Sequence, residues 1–166
     1  MYGPRGMADD EVRIEHPNRA KGASKATRAV VIFLLLISAA LVAVVTVGGW
    51  SALQGAKGLQ VAYIVLYLVM AYYVARWKRG VLPVAAALAI ILLIFAAVAG
   101  PAWFDRDKTG FDNPALNSGL LGVITLLIVP VQLLLMTFAM RGFAQEWNVE
   151  VERRADGSTR AVPAAG

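Results

Sequence analysis

Few side chains in this 166-residue chain have the chemistry of a catalytic or metal-binding site. The chain has no Cys, and its one His, His16, lies in a polar N-terminal stretch. This composition excludes disulfide frameworks, thiol nucleophiles, Cys/His zinc sites and haem ligation. We therefore predict no catalytic residue, no cofactor or cofactor-binding residue, and no bound metal ion.

The best match to a metal-binding motif lies between the third and fourth apolar stretches. Asp105, Asp107, Thr109 and Gly110 have the spacing of the first half of a calcium-binding loop, in which oxygen ligands at positions 1, 3 and 5 precede a glycine. Position 12 of such a loop should hold a bidentate Glu, and here it holds Leu116. We interpret the segment as a solvated turn, and a weak cation site is the alternative.

The most informative polar residue within the apolar stretches is Gln132. An unpaired amide in hydrocarbon costs several kcal/mol, so Gln132 should face another helix or a polar cavity. Pro130 removes a backbone donor and frees the carbonyl of Leu126, which favours a kink. We interpret Gln132 as a residue that hydrogen-bonds between helices, and the alternative makes Pro130 a hinge and Gln132 a substrate contact.

Two tyrosines and a threonine extend this polar set. Tyr63 and Tyr67 are one turn apart and share a helix face, so they line a cavity if they point inward or contact lipid if they point outward. The Thr125 hydroxyl can donate a hydrogen bond to a backbone carbonyl of its own helix. No Asp, Glu, His, Lys or Arg lies near the middle of any apolar stretch, which argues against ion-coupled transport and proton pumping.

The elements that position these residues follow from the distribution of charge. The chain is 58% hydrophobic and 16% charged, whereas soluble domains average about 45–50% and about 25%. A helix needs about 20 residues to cross a hydrocarbon core of about 30 Å. The uncharged stretches predict an all-α membrane protein, an up-down-up-down four-helix bundle over residues 29–140, with transmembrane helices at 29–49, 59–77, 81–103 and 116–140.

Two further patterns concern how these helices pack. About five residues join the second and third predicted helices, so we expect those two helices to be adjacent and antiparallel. Pairs of small residues one turn apart let helix backbones approach closely and support a compact bundle. The pairs are Ala39/Ala43, Ala85/Ala89, Ala96/Gly100 and Ser118/Gly122.

The basic residues predict the orientation of the bundle. Four helices place both termini on one side, and that side holds thirteen of the sixteen Lys and Arg residues and eight of the eleven acids. By the positive-inside rule both termini are cytoplasmic, and the outer face is neutral. Trp50 and Trp103 fall at the predicted outer boundary and Trp77 and Trp147 at the inner one, where indole rings are enriched.

The flanking segments are short. We predict a disordered basic cytoplasmic tail over 1–28, either a topogenic signal only or a contact for anionic lipid headgroups. The apolar run that follows is too long for the core of a cleaved signal peptide, so we expect that helix to be retained. Residues 141–154 form a cytoplasmic interfacial segment, in which the spacing of Phe143, Trp147 and Val151 fits a helix while 147–152 also alternates as a strand does. We predict that 155–166 is disordered.

These observations favour a non-enzymatic interaction or accessory subunit of a membrane complex. The alternative is a passive small-solute pathway or holin-like permeabiliser, active as an oligomer and lined by Tyr63, Tyr67, Thr125 and Gln132. A lipid-acting enzyme working from the membrane rim is a third hypothesis. The expected partners are the lipid bilayer, other membrane subunits or a second copy, and anionic headgroups at the cytoplasmic face, with no nucleic acid. A bias to Ala, Val, Gly and Arg suggests a GC-rich bacterium and hence its cell membrane.

Overall fold

A computed structural model describes residues 13–107, 114–154 and 157–162. Four of its helices are long and apolar enough to cross a membrane, which confirms the predicted number of spans. In chain order the elements are β1 (Arg13–Glu15), α1 (Pro17–Ala20), α2 (Gly22–Gly48), α3 (Lys57–Ala75), α4 (Val81–Phe104), a 3-10 turn (Asp105–Asp107), α5 (Ser118–Ala144), β2 (Val151–Arg153) and β3 (Thr159–Ala161).

Two of the long helices extend beyond the apolar stretches that predicted them. The first predicted span begins at residue 29, whereas α2 begins at Gly22 and includes Lys25 and Arg28. The last predicted span ends at residue 140, whereas α5 continues through Arg141 to Ala144. Long basic side chains at a helix end can reach the headgroup zone, so a charge marks the end of the apolar segment and not the end of the helix.

Hydrogen bonds between helix ends show which ends lie together. Arg28, in the second turn of α2, donates to the carbonyl of Ala75, the last residue of α3. Arg79, in the loop before α4, donates from Nε to the carbonyl of Phe143 near the end of α5, at 2.7 Å. We call the end of the bundle that holds these four residues the terminal end. At the opposite end, the distal end, the loop before α5 is hydrogen-bonded to the last residue of α2.

The helices pack in the spatial order α3, α2, α5, α4, with the α4–α5 contact the most extensive. Small residues allow that close approach, since Ala85 and Ala89 of α4 are fully buried. A Cβ atom added at Gly100 of α4 would lie 2.5 Å from the Leu126 side chain of α5. Ala96/Gly100 and Ser118/Gly122 are likewise buried, as the small-residue pairs predict.

The predicted adjacency of the second and third spans is wrong over most of their length. Although the loop between them is short, α3 and α4 make few contacts with each other. The loop constrains only the two helix ends that it joins. Beyond the loop, α4 packs closely against α5 through its small residues, whereas α3 packs against α2. The helices α3 and α4 therefore separate toward the distal end.

A tryptophan closes the terminal end. Trp147 is fully buried, and its ring meets Trp77 edge to face at a centroid distance of 5.2 Å. The guanidinium of Arg28 lies 4.5 Å from the Trp77 ring centroid. All four tryptophans lie near helix ends, as predicted, but Trp103 and Trp147 are buried in the protein and do not face lipid. Each of these two tryptophans packs within a hydrophobic core cluster of the bundle.

Short strands lie in the segments before and after the four long helices, where we predicted disordered tails and an interfacial segment. In a three-stranded antiparallel sheet, β2 pairs with β1 and with β3. Residues 13–28 and 157–162, which belong to the tails 1–28 and 155–166 predicted to be disordered, therefore contain β1, α1, the start of α2 and β3. Residues 1–12, 155–156 and 163–166 of these tails lie outside the described part. In the segment 141–154, α5 ends at Ala144 and a strand follows at Val151. Strands of three residues are not stable alone, so their partners, distant in sequence, decide this structure.

Candidate functional site

The predicted polar residues meet in a hydrogen-bonded cluster of three helices. Ser38 of α2, Tyr67 of α3 and Gln132 of α5 are each 0% exposed. The Tyr67 hydroxyl donates to Gln132 Oε1 at 2.8 Å, and Gln132 Nε2 donates to Ser38 Oγ at 2.9 Å. Ser38 in turn donates to the carbonyl of Leu34 at 2.6 Å. The expectation that Gln132 faces other helices is confirmed.

This cluster, which we call the Ser38–Tyr67–Gln132 triad, forms a directional chain of donors. The hydroxyl groups of Ser38 and Tyr67 and the amide nitrogen of Gln132 each donate to an acceptor. These buried polar groups are therefore hydrogen-bonded within the apolar core. An interhelical hydrogen bond in a membrane contributes about 0.6–2 kcal/mol. The triad therefore ties α2, α3 and α5 together in the middle of the bundle.

The other predicted polar residues have different roles. Tyr63 faces inward, and its ring contacts Tyr67 edge to face at 5.7 Å. Its hydroxyl reaches to within 3.5 Å of the Leu88 carbonyl oxygen on α4. Thr125 donates to the carbonyl of Leu121, one turn earlier on its own helix, as expected. Pro130 lies in α5 with its side chain exposed, on a different face from Gln132.

The separation of α3 and α4 leaves a cavity of about 350 Å³ in the distal half of the bundle. It lies at the lower end of the range of ligand pockets, about 300–1,000 Å³. We call it the α3–α4 cleft. All four long helices and both distal loops line it, through Val42, Val45, Leu53, Ala56, Leu59, Gln60, Tyr63, Leu92, Phe95, Ala96, Val98, Ala99, Ala102, Trp103, Arg106, Thr125 and Ile128.

The cleft is open to the side of the bundle. Leu59 of α3 and Phe95 and Val98 of α4 are lining residues, yet 48%, 48% and 72% of their surfaces are exposed. These three residues form the rim of the cleft. Tyr63 closes its deep end, because this side chain crosses from α3 toward the Leu88 carbonyl of α4. In a bilayer the opening would face lipid and not water.

The distal mouth of the cleft carries a positive charge. Arg106 is among the described lining residues, and its Nη1 donates to the carbonyl of Ala52 at 2.8 Å. Its guanidinium lies 4.6 Å from the centroid of the Trp103 ring, which itself lines the cleft. These two contacts hold the guanidinium in a defined position beside a largely apolar surface.

The weak cation site predicted at Asp105, Asp107, Thr109 and Gly110 is only partly within the described chain. Asp105 and Asp107 form the 3-10 turn, while Thr109 and Gly110 lie outside the described residues. Among the residues that the structure describes, no three His, Asp or Glu side chains lie close enough together to hold a metal ion. The motif stays a prediction.

The four residues predicted to line a solute pathway do not share one surface. Tyr63 and Thr125 line the α3–α4 cleft, whereas Tyr67 and Gln132 are not among its lining residues and belong to the triad. Sequence reasoning missed Phe95 and Arg106, since one lies in an unbroken apolar run and the other in a loop of mixed charge. The only available signal was Arg106 three residues after Trp103, a cation close to an interfacial aromatic ring.

Comparison with protein-family models, with curated proteins and with solved structures finds no match to this chain. The bundle itself combines a polar core whose groups are hydrogen-bonded, a closed terminal end and a largely apolar cleft with an arginine at its mouth. Such a cleft is suited to holding an apolar or amphipathic ligand, or to meeting another apolar surface.

Proposed function

We propose that this chain is a non-enzymatic accessory component of a membrane complex, which acts by binding at its α3–α4 face. The observation that carries the proposal is the laterally open α3–α4 cleft. Lipid-facing apolar residues alone would not point to a partner, because any membrane helix has them. A cleft of about 350 Å³ between two spans is different, because the bundle does not close its own core there.

The proposed arrangement is an up-down-up-down bundle with both termini in the cytoplasm of a bacterium and the spans in its cell membrane. The contacts that join helix starts to helix ends at the terminal end support alternating helix directions. Thirteen of sixteen basic residues belong to the tails and the loop at that end, which supports a cytoplasmic location. The α3–α4 cleft then opens in the outer leaflet.

The proposed partner is another membrane subunit or a second copy of the chain, seated against the rim of the cleft. The rim residues Leu59, Phe95 and Val98 project from two different helices on either side of an opening. A partner helix lying across them would bury surface on both α3 and α4.

Purification from native membranes in a mild detergent tests this proposal. The double variant Phe95→Ala/Val98→Ala trims the rim, and Leu127→Ala/Leu134→Ala is the control, because both leucines are exposed on α5 and neither lines the cleft. We expect the native chain and the control to retain one membrane protein, or a second copy, at constant stoichiometry. The rim variant should retain about tenfold less, corresponding to a loss of about 1.4 kcal/mol.

Two results would contradict the proposal. One is isolation of the native chain alone in several mild detergents and in native lipid discs. The other is equal retention of the partner by the rim variant and by the control, which would place the interface elsewhere. Mass identification of the retained component separates self-association from binding to a different subunit.

A further inference from the structure

We propose that the α3–α4 cleft binds one acyl chain of an anionic phospholipid, with the lipid phosphate at Arg106. This inference rests on the proposed binding role of the same face and names the ligand that occupies its recess. The partner of the preceding section contacts the rim, whereas the lipid chain lies inside. Three observations support the assignment: the lining of the cleft, its depth and the position of its charge.

The lining of the cleft favours a hydrocarbon chain. The described lining residues are apolar except for Gln60, Tyr63, Arg106 and Thr125. An α-helix with its side chains is about 10–12 Å across, whereas a hydrocarbon chain is much narrower and flexible, so it can follow an irregular recess between two helices.

The depth of the cleft corresponds to one leaflet. Its lining on α4 begins at Leu92 and ends beyond the helix at Arg106, fourteen residues later, a rise of about 20 Å. Half of a hydrocarbon core is about 15 Å, so a chain entering from the mouth ends near the bilayer centre. There Tyr63 closes the cleft. A recess with one closed end suits a lipid tail of a single leaflet.

The charge at the mouth selects the headgroup. Arg106 lines the distal end of the cleft, while Asp105 beside it in the chain is not among the described lining residues. A guanidinium presents its N–H donors in a planar fork that matches the oxygens of a phosphate. Because bilayer tails are as apolar as the cleft, the apolar lining provides no preference between lipids. The preference must come from the net charge of the headgroup. Phosphatidylcholine offers the same phosphate but also carries a choline cation, which the guanidinium repels, so Arg106 favours an anionic phospholipid.

Quenching of tryptophan fluorescence by brominated lipids tests the inference, because Trp103 lines the cleft and is 4% exposed. The full chain is reconstituted in vesicles of phosphatidylglycerol and phosphatidylcholine in equal amounts, with bromine on the chains of only one of the two. The difference between the native chain and Trp103→Phe isolates the Trp103 signal. We expect brominated phosphatidylglycerol to quench that signal about threefold more, the scale of one partly exposed ion pair.

Charge variants connect the preference to Arg106. In Arg106→Gln the ratio of the two quenching efficiencies should fall to about one, while Arg141→Gln, which removes an exposed arginine at the terminal end, should keep it. Using the ratio within each variant cancels any change in the intrinsic emission of Trp103. An equal ratio in the native chain, or an unchanged ratio in Arg106→Gln, would overturn the inference.

Native mass spectrometry of the full chain provides a measurement that does not depend on tryptophan. We expect the native chain and Arg141→Gln to retain phosphatidylglycerol over phosphatidylcholine, and Arg106→Gln to lose the preference. Retention of both lipids equally would overturn the headgroup assignment while leaving the rim interface intact. If Phe95→Ala/Val98→Ala retained the partner as well as its control did, while the chain still preferred phosphatidylglycerol, only the proposed function would be contradicted.

Discussion

At the scale of single residues, the bundle accommodates polar side chains by pairing them within the apolar core. Gln132 shows the principle, since it accepts from Tyr67 and donates to Ser38 while none of the three is exposed. Each group would cost free energy in hydrocarbon without its partner. These three residues therefore stabilise one arrangement of helices.

The Ser38–Tyr67–Gln132 triad predicts a measurable loss of stability. Gln132→Leu keeps the approximate side-chain size but leaves the Tyr67 hydroxyl without its acceptor. We expect a decrease of about 1–3 kcal/mol in the free energy of unfolding, measured by denaturation in mixed micelles. Because the two residues share a hydrogen bond, adding Tyr67→Phe should cost less in the Gln132→Leu background than in the native one.

Thr137→Val is the matched control on the same helix. Thr137 is exposed and its hydroxyl bonds only to the carbonyl of Leu133, one turn earlier. We expect a change within about 0.5 kcal/mol. A Gln132→Leu variant as stable as Thr137→Val, or strictly additive double-variant costs, would show that the triad does not couple the helices.

At the scale of elements, close contacts between helices depend on glycine and other small residues. Gly142, near the end of α5, packs against two fully buried side chains, since an added Cβ would lie 3.1 Å from both Leu82 and Trp147. Both neighbours are 0% exposed, so a shift of either side chain must displace other packed atoms. The end of α5, the start of α4 and the Trp147 ring are thus fitted together as one unit.

Substituting this glycine should therefore destabilise the terminal end. Alanine is favoured over glycine in a helix by about 1 kcal/mol, yet we expect Gly142→Ala to lower the free energy of unfolding by about 1–2 kcal/mol because of overpacking. Gly58→Ala in α3 is the control, because nothing lies within 4 Å of its added Cβ. That variant should be neutral or slightly stabilising in the same denaturation assay. Stabilisation by Gly142→Ala would contradict the tight fit.

At the scale of the whole molecule, the bundle has two unlike ends. The terminal end is closed by Trp147 and carries most of the basic residues, while the distal end opens sideways at the α3–α4 cleft. If the terminal end is cytoplasmic, the lipid that we propose for the cleft comes from the outer leaflet. The orientation of the bundle in the membrane therefore determines the leaflet to which the cleft opens.

Labelling of single cysteines tests this orientation directly, since the chain has no Cys of its own. Gln54→Cys lies in the exposed loop at the distal end, and Lys78→Cys lies in the exposed loop at the terminal end. In intact cells, or spheroplasts if an outer envelope intervenes, we expect a membrane-impermeant maleimide to label Gln54→Cys. Lys78→Cys should react only after permeabilisation. The reverse pattern would invert the bundle and move the cleft to the inner leaflet.

How far the sequence predicts the fold depends on the range of the interactions involved. Four helices of spanning length follow from the uncharged stretches, because hydrocarbon excludes charge and requires each segment to satisfy its own backbone. The inward position of Gln132 follows from the cost of an unpaired amide. The adjacency inferred from the short loop at Arg79 did not extend along α3 and α4, because a loop restrains only the ends of the helices that it joins.

The number of helices of spanning length, their approximate bounds and the need for a paired polar core follow from residue types and their spacing. Tertiary contacts set the rest: which helices pack, the burial of Trp147, the pairing of short distant segments as strands, and the cleft between α3 and α4. This division arises because insertion into a membrane depends on the composition of each segment alone. Packing depends on the shapes of residues far apart in the chain, such as Gly100 beside Leu126, and no local pattern encodes that match.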